Sequence, residues 1–183
     1  MPLGSTFDFI QKTIKTMAKA IIITGGNVGD VKDTLRRAQQ EINQNLGVIL
    51  RCSHNYESKA WGFTSYDNFF NQAIIIDTDF SPEELLDKVL EIEVKLGRNR
   101  QEEAEVKART GEPFAPRPID IDILFYDDEV IDTPRLKIPH PLIQSRDFVL
   151  RPLNEIAPDK IHPTLNKTIH TLFTEMENEE KEA

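Results

Sequence analysis

The apolar residues of this chain change period in a fixed order along its 183 residues, and that order limits the possible folds more than any other feature. Residues 20–24 form a short β-branched run, as expected of a buried strand. The turn Gly25-Gly26-Asn27-Val28-Gly29-Asp30 follows. Then Val31, Leu35, Ala38, Ile42 and Leu46 recur at helical spacing, with Asp30 as the expected N-cap. Residues 48–56 and 70–77 read as two strands, joined by a connection that holds Trp61, Gly62 and Asp67. Ser81, Pro82 and Glu84 spell a capping box with proline at the first helical position. Leu85, Val89, Ile92 and Leu96 line one face of that second helix, and Gly97 ends it. A polar segment, 98–118, leads to a last strand, 119–126.

The order β-α-β-β-α-β predicts an α+β fold, a ferredoxin-like sandwich with an antiparallel sheet and two helices on one face. Residues from Asp127 to about Phe173 are expected to add a hairpin and a closing helix. Residues 18–174 then make one domain. Residues 1–17 read as a disordered or tag-like extension, and 175–183, with five glutamates and one lysine, as an acidic frayed tail. The segment 98–118 has no apolar period, and loops of that length often act as lids.

With 22 basic and 31 acidic residues the net charge is −9, which argues against nucleic acid or an anionic membrane as partner. No apolar run approaches the roughly 18 residues of a membrane helix. The single cysteine, Cys52, excludes an internal disulfide and suits a reducing cytoplasm. From Lys95 to Arg117, however, six basic residues stand against four glutamates, a local excess able to hold phosphates. No apolar stripe is left unassigned, so a monomer is expected.

The sharpest chemical signal is Arg117-Pro118-Ile119-Asp120-Ile121-Asp122-Ile123-Leu124-Phe125. Strand side chains alternate, so Ile119, Ile121, Ile123 and Phe125 should point one way and Asp120 and Asp122 the other, roughly 7 Å apart. Two like charges on one strand face repel, and a hard cation such as Mg²⁺ would remove the penalty. A merely polar, solvated strand edge has the same spacing.

This segment closely resembles the signature of the 6-hydroxymethyl-7,8-dihydropterin pyrophosphokinases. Further stretches resemble the same family in the same order: the turn from Gly25 to Asp30, Tyr56 and Gly62, and Asn68-Phe69-Phe70-Asn71-Gln72-Ala73. After them come Glu93 with Gly97-Arg98-Asn99-Arg100, then Pro139-His140-Pro141 and Arg146-Asp147-Phe148-Val149-Leu150-Arg151-Pro152-Leu153. The resemblance implies transfer of pyrophosphate from ATP to the pterin hydroxymethyl group, with AMP leaving. It implies that Asp120 and Asp122 hold two Mg²⁺ ions, that Arg98, Arg100 and Arg117 serve catalysis, and that Glu93, Arg98, Arg117, His140 and Arg146 contact ATP. Phe69 and Phe148 would clamp the pterin ring, Asn71 would read its edge, and Asn27, Ser58 and Trp61 would border it. Lys107 and Arg109 lie in the polar segment without a match. Lys59-Ala60 stands where the family has a diproline, and Phe114 where tryptophan is frequent.

Two other readings use the same residues. A non-catalytic ferredoxin-like module could bind RNA, but it would want exposed aromatics where this strand has aspartates. A metal-dependent phosphohydrolase would use both aspartates and leave Phe69, Asn71 and Phe148 without a task.

Overall fold

A computed structural model describes residues 16–59 and 68–183. The readings that fall on 1–15 and 60–67, among them Trp61 as a border of the pterin pocket, lie outside these residues. The elements run β1 (Ala18–Gly26), α1 (Val31–Asn45), β2 (Val48–Cys52), β3 (Tyr56–Ser58), β4 (Phe69–Thr78), α2 (Pro82–Lys95), α3 (Arg100–Thr110) and β5 (Asp120–Tyr126). A short hairpin, β6 (Ile131–Asp132) and β7 (Lys137–Ile138), is followed by α4 (Asp147–Ile156) and α5 (Ile169–Glu182). The sheet order is β2-β4-β1-β5 with every neighbour antiparallel, which is the ferredoxin-like arrangement. The expected first long strand after α1 breaks at residues 53–55. Its second half, β3, pairs separately with β4.

The caps form as the residues dictate. Asp30 accepts the Asp33 N–H at 3.1 Å, and Ser81 and Glu84 exchange both bonds of a capping box. Val31, Leu35, Ala38 and Ile42 of α1 and Leu85, Val89 and Ile92 of α2 bury against Ala20, Ile22, Ile74, Ile76 and the isoleucines of β5.

Four expectations are corrected. The second face of the sheet is not left to decoration: Val149, Leu150 and Leu153 of α4 and Ile169, Leu172 and Met176 of α5 cover Ile21, Ile23, Leu124 and Phe125. An unbroken apolar strand such as 20–23 needs both faces dry. Phe125 belongs to that second face and not to the isoleucine row. A bulge shifts the β1–β5 register, so that Ile22 faces Ile123 but Ile21 faces Phe125, and one extra residue reverses the alternation.

The polar segment contains a helix, α3. Asn99 accepts the Gln101 and Glu102 N–H groups, and Gly111 closes the far end at φ 72°, a conformation that glycine adopts without strain. Its sequence lacks an apolar stripe because only Glu103 is buried from it, so hydrophobic period could not reveal it. Finally, residues 175–182, read as a frayed tail, continue α5. Met176 is in the core, Lys167 holds Glu175 at 2.8 Å, and Arg151 reaches Glu180 at 3.1 Å.

Candidate active site

Three strands set the geometry. Gly25 of β1 lies opposite Asn71 of β4 on one side and Asp120 of β5 on the other, and Ile23 lies opposite Asp122. Residues paired across antiparallel strands share a face, so Asn71, Asp120 and Asp122 all stand on the α4/α5 side of the sheet. Gly25 is required by close approach: a Cβ there would lie 2.2 Å from Asn71 Nδ2. The Asn71 amide therefore lies over β1, donating to the Thr24 carbonyl at 3.4 Å.

A cavity of about 330 Å³ opens on this face. Ser58, Phe69, Asn71, Arg117, Asp120, Asp122, Arg146 and Phe148, all singled out in the sequence, line it. Arg146 and Phe148 come from the start of α4, with the Arg146 guanidinium 5.4 Å from the Phe148 ring centre. Gly25, Lys59, Phe114, Ser145 and Asp147 line it too and were not assigned as site residues. Alternation along β1 was the signal for Gly25. For Ser145 and Asp147 only their closeness to the Arg146-Asp147-Phe148 stretch pointed to the cavity.

Asn27, Glu93, Arg98, Arg100 and His140 do not line the cavity; Asn27 and Arg98 bond residues that do, and Glu93 and Arg100 stand behind Arg98. Asn27 is buried, and its Oδ1 and backbone N–H bond the Arg117 N–H and carbonyl, each at 3.0 Å. Glu93, expected at ATP, is 1% exposed and engaged on three sides. It accepts from Arg98 at 2.7 Å, Arg100 at 2.8 Å and the Ile121 N–H at 3.0 Å. Arg98 also bonds Asp120 Oδ1 at 3.0 Å and Glu103 at 2.9 Å. Burial would favour a neutral Arg98, but the bond to Glu103 and the charges of Asp120 and Glu93 outweigh it and hold the guanidinium protonated. Glu103 was not foreseen, because it sits in the helix that the apolar pattern missed.

Asp120 is gripped by Arg98 and, at 3.1 Å, by Arg117. Asp122 is not. Burial first, then the negative charges of Asp120 and Glu93, push its pKa up to about 7, against the opposing pull of Arg146 and Arg117. His140 is held down by burial and by Arg146, against the pull of Asp120. Its Nδ1 accepts the Leu142 N–H at 3.2 Å, which leaves the proton of the neutral ring on Nε2.

Among the described residues no cluster of three or more histidine, cysteine or carboxylate side chains forms a protein-only metal cage. Asp120 and Asp122 instead offer hard oxygens on one face, the partial set that suits Mg²⁺ completed by water and substrate phosphate. The raised pKa of Asp122 marks negative charge that a cation would relieve. Asn71 Oδ1, Arg117 Nε and Asn27 Nδ2 are buried without a partner, and the first two belong to cavity residues. Buried polar atoms are normally paired, so a polar ligand is expected there.

Paired carboxylates, arginines and two phenylalanines around one cavity of a ferredoxin-like sheet are parts that suit an enzyme handling a phosphate chain beside a flat ring. The profile of the 7,8-dihydro-6-hydroxymethylpterin-pyrophosphokinase (HPPK) family matches residues 21–158. The 2-amino-4-hydroxy-6-hydroxymethyldihydropteridine pyrophosphokinase of Aquifex aeolicus is 40% identical over 153 residues, 84% of this chain and 89% of that protein. The enzyme of the same name from Synechocystis sp. is 40% identical over 159 residues, covering 86% and 76%. The chain therefore belongs to the 7,8-dihydro-6-hydroxymethylpterin-pyrophosphokinase family. The family's reaction, transfer of pyrophosphate from ATP to the hydroxymethyl pterin in folate biosynthesis, is the one expected from the motifs, and the RNA-module and phosphohydrolase readings fall with it.

The fold agrees with solved structures. The wild-type HPPK-DHPS of Plasmodium falciparum superposes with a TM-score of 0.69 at 17% identity, over 91% of this chain and 46% of that one. An HPPK-DHPS in complex with substrates gives 0.70 at 16% identity, over 91% and 45%. The chain thus spans less than half of those two-part proteins. No helix of the described residues is long and apolar enough to cross a membrane.

Proposed function

We propose that this cavity is where pyrophosphate is transferred, with two Mg²⁺ ions held by Asp120 and Asp122 and the pterin ring between Phe69 and Phe148. The observation that carries this reading is the row Asn71–Gly25–Asp120 across three strands. At the usual strand spacing, Asn71 and Asp120 lie roughly 10 Å apart across the sheet. A ring read at its edge by Asn71 thus directs its far substituent toward the carboxylates. The partnerless Asn71 Oδ1 supports an amide-bearing ring, because it can accept from such a ligand.

Bound Mg²⁺ would neutralise the triphosphate and lower the pKa of the pterin hydroxymethyl group. Arg117 and Arg146 reach the cavity as fixed guanidinium forks that suit phosphate oxygens, and His140, which feels the charges of Arg146 and Asp120, carries an Nε2–H. Arg98 acts through Asp120, which it aims, and Glu93 acts through Arg98, Arg100 and Ile121. The hydroxymethyl oxygen gives up its proton to solvent and attacks the β-phosphorus, the bond to the α-phosphate oxygen breaks, and AMP carries that oxygen away. The protein's task is alignment and charge, as for phosphoryl transfer generally.

Work as a cytoplasmic monomer belongs to the same proposal: a single cysteine suits a reducing compartment. The test is product identity with purified protein, ATP, Mg²⁺ and 6-hydroxymethyl-7,8-dihydropterin. Pterin-dependent AMP that vanishes with EDTA is expected. ADP, or AMP formation indifferent to EDTA, would overturn the metal-assisted β-transfer.

A further inference from the structure

Glu155 lies in the last turn of α4, at the opposite end of the helix from Phe148. Its carboxylate gathers the segment between β2 and β3. The His54 backbone N–H donates to both oxygens at 3.2 and 3.3 Å, His54 Nδ1 is 2.6 Å from Oε1, and Tyr56 Oη donates to Oε2 at 2.7 Å. Beside it, Arg51 donates to the Ile156 carbonyl at 3.3 Å. The Tyr56 phenol is pushed up to about 12, chiefly by its bond to Glu155, so it stays a donor at any ordinary pH. Burial opposes the charge on Glu155, but the bonds from Tyr56 and His54 outweigh burial and hold its pKa down.

This carboxylate joins the walls of the cavity. β3 is three residues long and pairs only with β4, Tyr56 opposite Asn71 and Ser58 opposite Phe69. Three backbone pairs alone would leave so short an edge strand loosely placed. The first turn of α4 carries Phe148, roughly 10 Å along the helix from Glu155 at 1.5 Å per residue. Pro152 interrupts the backbone ladder between them, so the two ends are linked through the buried face, where Val149, Leu150 and Leu153 pack in the core on both sides of the proline. Glu155 thus ties β3 to α4 directly, and β4 through the strand register.

We propose that Glu155 is a positioning residue for the pterin, holding β3 and α4 at the separation that a flat ring between Phe69 and Phe148 requires. This rests on the reading of the cavity as the pterin site. A merely structural staple would change stability and nothing else. A positioning role separates the substrates: the pterin suffers and ATP does not.

The experiment compares wild type with Glu155→Gln, Tyr56→Phe and Phe148→Ala in the full chain. It measures the Kd of 6-hydroxymethyl-7,8-dihydropterin with Mg²⁺ and a non-hydrolysable ATP analogue present, then KM for each substrate. Glu155→Gln should weaken pterin binding about tenfold, short of the roughly hundredfold that a full 1 Å misplacement can cost, and leave the KM for ATP unchanged. Tyr56→Phe should weaken the pterin less, in the same direction. Because it removes a single hydroxyl, it decides the matter if Glu155→Gln does not fold. Unchanged pterin affinity in both, with Phe148→Ala impaired, would overturn the staple and leave the cavity reading standing. Equal loss for ATP and pterin would also overturn it, and unchanged affinity in Phe148→Ala would sink the pterin reading together with the proposal.

Discussion

Glu93 Oε2 accepts the backbone N–H of Ile121, the residue between the two aspartates, at 3.0 Å. One buried carboxylate on α2 therefore fixes the strand that presents Asp120 and Asp122, and through Arg98 it fixes the Asp120 side chain as well. Glu93→Ala should cost about 1 to 3 kcal/mol, because it orphans the buried Ile121 N–H and takes from Arg98 one of its three carboxylate partners, leaving Asp120 and Glu103. Urea denaturation measures this. A loss under 1 kcal/mol would contradict the role of Glu93 as the hub.

Asp122 should govern the pH dependence of stability. Its folded pKa, about 7, stands above the ordinary aspartate value of 3.8, so its contribution is fully present below about 3.8 and is lost as pH rises through about 7. Without Mg²⁺, Asp122→Asn should therefore gain stability relative to wild type between about pH 5 and pH 8. Denaturation midpoints at the two ends check the sign, and a gap that stays constant would refute it. Turnover of the same variant should fall about a thousandfold, as when a group that stabilises transition-state charge is removed.

Gly25→Ala would place a methyl group 2.2 Å from Asn71 Nδ2. The Asn71 side chain must then leave its position over β1, at a packing cost of about 1 to 3 kcal/mol. Steady-state kinetics should show the KM for the pterin rising about tenfold while that for ATP holds. Equal changes in both would mean that the whole sheet end had moved.

The acidic end of the chain should be part of the fold. Met176 of α5 is 9% exposed and packs in the core on the second face of the sheet, so Met176→Ala should cost about 2 to 5 kcal/mol. An unchanged melting temperature would return this segment to the status of a loose tail.

Period and caps were legible along the chain wherever an element buries a regular stripe. Leu35, Ala38 and Ile42 declare α1, Ser81 with Glu84 declares the start of α2, and the alternation of residues 119–123 declares the face on which the aspartates stand. The cavity residues Phe69, Asn71, Asp120, Asp122, Arg146 and Phe148 were reached through motifs, since each alone reads equally well as packing or as surface charge. What could not be read is what depends on a partner distant in sequence. α3 has no stripe because its burial is confined to one carboxylate on Arg98, and the bulge opposite Ile21 and Ile22 is visible only in the pairing of two strands about a hundred residues apart. Sequence by itself determined the order of elements and the residue types at the site, because local period and capping are properties of neighbours along the chain. Only the tertiary structure decided that Glu93 and Arg98 stand behind the aspartates and that Gly25 lies between Asn71 and Asp120, because burial and charge compensation are set by what folds against a residue.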